Sequence, residues 1–246
     1  MKSTVFTLAI ALAGNVVSSS AAYAQFHDSL SGSWNNPMSA TLATMLNDQA
    51  MASAARTYKY KGTPASGTVA PASKTTAAPV TFHPVAKNLM VKELADALVS
   101  GTSARRELTR AFEEYLRNFS EQASKDNEPA NDLGRAAAYF VMVNYAAATG
   151  RTPTSAQADG AQAILRAGLA ASTKLAATND RERQRLYESL VILGSFPLAV
   201  VKQAKQQKDV ALEKRGRGYA NDLIKTLLGV PVTKINLTAN GFTIVK

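Results

Sequence analysis

Ala136-Ala137-Ala138-Tyr139-Phe140-Val141-Met142-Val143-Asn144-Tyr145-Ala146-Ala147-Ala148 is the stretch that decides the fold. It carries no charge, shows no two-residue alternation and is apolar nearly all round, interrupted by Asn144. Such a segment reads as a central helix packed on several sides. Its span is about Asp132 to Thr149. Asn131 suits the N-cap, and Gly150 supplies the C-terminal stop. Asn144 lies inside the apolar face, so it requires a hydrogen-bond partner there. A helix of this kind cannot stand alone, and the chain on either side must supply amphipathic partners.

It does. Val91, Leu94, Ala95 and Leu98 form a first stripe closed by Gly101. A second helix runs from about Ala104 to Ala123, with Ser103 as N-cap. Leu108, Phe112, Tyr115, Leu116 and Phe119 line one of its faces, Arg110, Glu113, Glu114 and Arg117 cover the other, and Asp126 to Pro129 breaks it. Beyond the central helix, Thr152-Pro153 opens a fourth, running to about Ala177 with Ala161, Leu165, Gly168 and Leu169 on one face. Asn179 and Glu182 stand at capping-box spacing and open a fifth, carrying Leu186, Tyr187, Leu190, Val191 and Leu193. Gly194 to Pro197 reads as an interruption, followed by a shorter sixth helix to about Gln206. The seventh, about Val210 to Leu228, is weakened at its start by Gly216 and Gly218 and ended by Gly229 and Pro231.

The period then changes. Ile235, Leu237, Phe242 and Ile244 alternate with polar residues around Asn240-Gly241, a hairpin signal. Residues 85–246 are therefore expected to form an all-α bundle of six or seven helices with a short C-terminal β-hairpin. Residues 62–84 differ in kind: four prolines, two glycines and many Ala, Ser and Thr, with few large apolar groups. That composition predicts a flexible linker. Residues 25–61 form a polar segment in which Pro37 starts a short helix with Met38, Leu42, Met45 and Leu46 in one stripe.

The first 24 residues read as a secretory signal peptide. Lys2 gives the positive start, Val5 to Val17 the apolar run, and Ala22-Tyr23-Ala24 the small residues before a cut ahead of Gln25. The run is shorter than the about 20 apolar residues of a membrane span. Export, to the periplasm or the medium, is the localisation this predicts. The chain has no cysteine, which rules out disulfides, thiolate metal sites, a cysteine nucleophile and a lipidated cysteine. Stability must come from the core, and 46% hydrophobic residues can supply one.

The net charge of +10 is unevenly placed. Residues 1–80 carry 5 basic and 2 acidic side chains, residues 81–150 carry 8 and 9, and residues 151–246 carry 15 and 7. The excess is densest at Lys202, Lys205, Lys208, Lys214, Arg215 and Arg217, diluted by Asp209 and Glu213. The bland reading is a solvated face whose basic helix start is frayed; the functional one is an anionic-partner surface. No aromatic side chain is interleaved to stack bases, so nucleic acid is disfavoured, while peripheral membrane contact stays open.

Catalytic patterns are scarce. His27 and His83 both fall outside the predicted bundle, where solvated histidines are expected. Without a histidine or cysteine in the body, Ser-His-Asp and Cys-His catalysis are excluded. Carboxylates alone suffice for a glycosidase, and Glu113, Glu114, Asp132 and Glu188 are the candidates. Glu113 and Glu114 read as solvated, and Glu188 as partnered by Arg185 or by a neighbouring helix. Gly216-Arg217-Gly218 lacks the spacing of a phosphate loop, and no strand precedes it. No catalytic residue, metal site or cofactor is assigned.

Three sets of residues carry a likeness. They are Asn131-Asp132-Leu133 with Ala136 to Phe140 and Asn144-Tyr145; Arg183-Gln184 with Tyr187-Glu188; and Leu227-Leu228-Gly229-Val230 with Ile235 to Thr238 before Gly241. Over residues 82–246 the chain resembles an uncharacterised family of exported bacterial helical proteins of unknown function. The resemblance implies a secreted or periplasmic helical domain and no established activity. The leading expectation is an exported, non-enzymatic protein that binds a macromolecular partner or the cell envelope. Alternatives are a carboxylate-only hydrolase of envelope polymers, and a basic-surface binder of anionic membrane or nucleic acid. The oligomeric state is left open.

Overall fold

The computed structural model describes residues 79–99 and 101–245. The signal peptide, the 25–61 segment with its short helix, His27 and the linker up to residue 78 lie outside the described residues. Within them the order is α1 (Val91–Leu98), α2 (Thr102–Lys125), α3 (Leu133–Thr149), α4 (Ser155–Ala170), α5 (Thr173–Ala176), α6 (Asp180–Gln207), α7 (Val210–Leu228), β1 (Ile235–Thr238) and β2 (Gly241–Ile244). The all-α bundle with a C-terminal hairpin is the fold.

The hub is α3. It packs against α4, α6 and α7, and Leu133, Phe140, Val141, Met142 and Val143 have almost no exposed surface. Its N-cap is Asp132 rather than Asn131: the Asp132 carboxylate accepts the Arg135 N–H at 2.8 Å. At the other end Gly150 takes the left-handed conformation, φ 74°, and its N–H returns to the Ala146 carbonyl. Helix α2 likewise begins without the expected Ser103 cap, at Gly101, with no side-chain cap.

Seven helices occur among the described residues, but not with the expected boundaries. The predicted fourth helix is two. Thr154 and Gln157 form a capping box that starts α4, and Ser172 caps the Leu175 N–H to restart the chain as α5. The predicted fifth and sixth are one. Helix α6 runs unbroken through Gly194 to Pro197, and at Gly194 it packs tightly on α3. A Cβ on Gly194 would sit 3.1 Å from the Phe140 Cα. Burial of Phe196, Pro197 and Leu198 against the core outweighs the helix propensity lost at the proline.

The hairpin forms where Asn240-Gly241 signals one, but its two-residue turn is Ala239-Asn240: Thr238 pairs with Gly241, Leu237 with Phe242 and Ile235 with Ile244. It is anchored through β2 on α4 at a glycine-to-glycine contact. A Cβ on Gly160 would lie 2.1 Å from the Asn240 carbonyl carbon, and one on Gly241 2.6 Å from the Gly160 carbonyl carbon.

Residues 79–84, which composition places at the end of the linker, are docked on the body. Thr81 bridges Asp132, Leu133 N–H donates to the Val80 carbonyl at 2.9 Å, and Phe82 is buried edge-on to Tyr187, centroids 5.3 Å apart. A lone phenylalanine in a Pro/Thr-rich stretch was the only sequence cue.

Candidate functional site

The basic cluster is assembled by the turn between α6 and α7. Lys208 ends α6 in the left-handed conformation, φ 57°. Asp209 caps α7 by accepting the Leu212 N–H at 2.9 Å. The helix start is therefore ordered rather than frayed, and Gly216 is a packing residue: a Cβ there would lie 2.9 Å from Val201 Cγ2. Gly218 meets nothing within 4 Å.

The six cations do not act alike. Lys205, Lys208 and Lys214 are exposed, whereas Lys202 and Arg215 are half-buried. Burial lowers the pKa of Lys202. Lys205 stands 3.9 Å from Glu213. Arg217 belongs to the fold: it donates to Glu213 through Nε and Nη2, at 2.9 and 2.8 Å. Its Nη1 donates to the carbonyls of Ala147 and Ala148, at 3.1 and 3.2 Å. It thus caps the C-terminus of α3, where carbonyls lack helical donors.

The candidate carboxylates are separated by the fold into two kinds. Glu113 is exposed and accepts from Asn88, and Glu114 faces Arg117 at 3.8 Å. Asp132 and Glu188 are buried. Asp132 gives one oxygen to the Arg135 N–H and the other to the Arg166 guanidinium at 2.6 Å. Around it Arg135 pairs with Asp126 at 2.8 Å and lies over the Phe119 ring, 5.3 Å from its centroid, while Gln162 donates to Glu128. Glu188 does not pair with Arg185, which reaches Glu93 instead at 2.8 Å. It faces inward and accepts from the Met90 N–H at 2.7 Å and from Gln184 Nε2 at 2.8 Å. Gln184 also accepts the Val85 N–H at 2.8 Å, so the two side chains together hold the approach to α1.

The remaining motif residues do similar work. Tyr187 donates to the Ala130 carbonyl at 2.6 Å and Arg183 to Asp180 at 3.2 Å. Asn144 donates to the Phe140 and Leu193 carbonyls at 2.9 and 3.2 Å. Exposed His83 stands 3.5 Å from Asp180, which also accepts its backbone N–H. Among the described residues no three His, Cys, Asp or Glu side chains form a group that could hold a metal. None of the described helices is long and apolar enough to cross a membrane. Arg135 and Arg166 were not singled out by spacing, because the groups they meet come from other parts of the chain.

The architecture defines the class: an all-α bundle around one buried helix, closed by a β-hairpin. The chain belongs to a family of unknown function (DUF6683), whose model matches residues 1–245. The match reaches well beyond the 82–246 region in which the motifs were recognised. No curated protein and no solved structure matches the chain.

Proposed function

We propose that this is an exported helical module that binds a macromolecular partner or the cell envelope and performs no chemistry of its own. The observation carrying the reading is the commitment of both buried candidate carboxylates. Every carboxyl oxygen of Asp132 and Glu188 accepts a hydrogen bond from backbone, arginine or glutamine within the fold. A general acid needs a proton and access to a leaving group, and a nucleophile needs a free oxygen facing substrate. Here those oxygens hold the start of α3 and the approach to α1. Export rests on the residue pattern of positions 1–24.

The experiment has two arms. Terminal sequencing of protein from the extracytoplasmic fraction should begin at Gln25, and cross-linking there should capture a discrete partner or envelope component. A polymer-degradation assay on envelope material should give no product. If wild-type protein degrades the polymer while folded Asp132→Asn or Glu188→Gln does not, the hydrolase reading replaces this one.

A further inference from the structure

The α6–α7 turn carries an exposed apolar side chain flanked in sequence by exposed lysines. Val210 is 77% exposed, the highest value among the exposed large hydrophobic residues of the described chain. Lys205, Lys208 and Lys214 stand exposed around it in sequence, as do Gln206, Gln207 and Ala211. The carboxylates of the segment are Asp209 and Glu213, and both are engaged internally, one as the α7 cap and the other with Arg217. The lysines are therefore only partly offset, chiefly at Lys205.

Lys208 adds an independent observation. It holds φ 57°, a conformation glycine adopts without steric cost. A lysine there places an exposed charge in the turn, against the conformational preference. Arg151, exposed, extends the same end: it follows Gly150, against which the Arg217 guanidinium lies.

We infer that this turn docks on an anionic phospholipid surface, with the lysines held at the headgroups and Val210 entering the interface. The inference rests on the binding reading above and names its partner. Juxtamembrane lysines gain from a negative surface potential, and a small apolar group gains from the acyl boundary. Nucleic acid would reward the lysines but not an exposed valine, and residues 202–217 contain no aromatic side chain for base stacking.

The test is co-sedimentation of the purified protein, bearing the N-terminus its cells leave on it, with vesicles. Mixed phosphatidylglycerol and phosphatidylcholine vesicles should bind it, phosphatidylcholine alone should not, and added salt should release it. Lys205→Glu with Lys208→Glu and Lys214→Glu should weaken binding about a hundredfold or more. Val210→Asn should weaken it roughly fivefold at unchanged charge. Lys208→Gly should weaken binding while raising the urea midpoint, which a merely structural lysine would not do. Equal binding by the triple variant, equal binding to phosphatidylcholine alone, or tighter binding to duplex DNA at the same salt overturns the inference. Loss of the vesicle interaction alongside a Gln25 terminus and a cross-linked protein partner overturns the docking turn alone. An unprocessed Met1 terminus with vesicle binding intact overturns export alone.

Discussion

Asn144 supplies the hydrogen bond that Pro197 withholds. Proline has no N–H, so the Leu193 carbonyl, four residues before it in α6, loses its helical donor. The Asn144 side chain, buried in α3, donates to that carbonyl at 3.2 Å and to its own Phe140 carbonyl at 2.9 Å. Asn144→Ala should therefore cost about 1–3 kcal/mol, the range for a buried polar group left unpaired. In a Pro197→Ala background the new N–H can reach the Leu193 carbonyl, and the cost of removing Asn144 should shrink by roughly 1 kcal/mol. Urea unfolding of the two single variants and the double variant measures the coupling. Strict additivity would show the two residues to be independent.

Arg217 should matter to stability and little to surface binding. Its guanidinium ties Glu213 and two carbonyls at the end of α3. Arg217→Ala is expected to cost about 1.5–3 kcal/mol, as for hydrogen bonds to a charged group. Amide exchange should rise first at Gly150 and Arg151, just after the carbonyls it holds. Arg217→Lys should recover only part, since an ammonium cannot reproduce the planar fork. A loss confined to binding, with unchanged amide exchange, would return this residue to the surface cluster.

How far the sequence carries the fold depends on the kind of signal. The uncharged run 136–148, the Asn179–Glu182 box and Asn240-Gly241 are local patterns, and each marks the element found. Gly194 to Pro197 misleads because local propensity favours a break, while the close contact with Phe140 and the donor from Asn144 are tertiary. Phe82 and the strap at 79–84 were hidden in composition typical of a linker. The candidate site divides the same way. Charge density located the lysine cluster, but only geometry separates structural Arg217 from exposed Lys208. Similarly, Glu188 and Arg185 are three residues apart and both meet the start of α1, yet they do not pair: Glu188 takes the Met90 N–H and Arg185 takes Glu93.

Glycines offer a paired test. Gly160→Ala drives a Cβ into the hairpin backbone, 2.1 Å from a carbon that cannot move alone. A cost above about 3 kcal/mol is expected, at the severe end for overpacking, with loss of the hairpin's amide protection. Gly216→Ala meets the ends of Val200 and Val201 and should cost less, about 1–2 kcal/mol. Gly218→Ala meets nothing and sits inside α7, so it should gain about 0.5–1 kcal/mol. The ranking, read from thermal or urea midpoints, checks the path of α7. Equal effects at 216 and 218 would mean that the first turns of α7 do not pack as described.

Alkaline pH should unfold the protein through its buried tyrosines. Burial pushes Tyr139 up to about 12, against the lowering effect of its hydrogen bond with Ser195, and raises Tyr187 and Tyr219 as well. Each phenol is near 10 when unfolded. A folded pKa above the unfolded one means that stability is intact below pH 10 and is lost as pH rises through and beyond it. The part of the tyrosinate absorbance that belongs to these three phenols should therefore rise as a separate, second stage above pH 10, together with loss of helical circular dichroism. Tyr219→Phe removes one ionisation and should move the second stage to higher pH, provided the smaller side chain leaves neutral stability unchanged. Complete tyrosine ionisation near pH 10 with helicity retained would show that these phenols reach water in the native state.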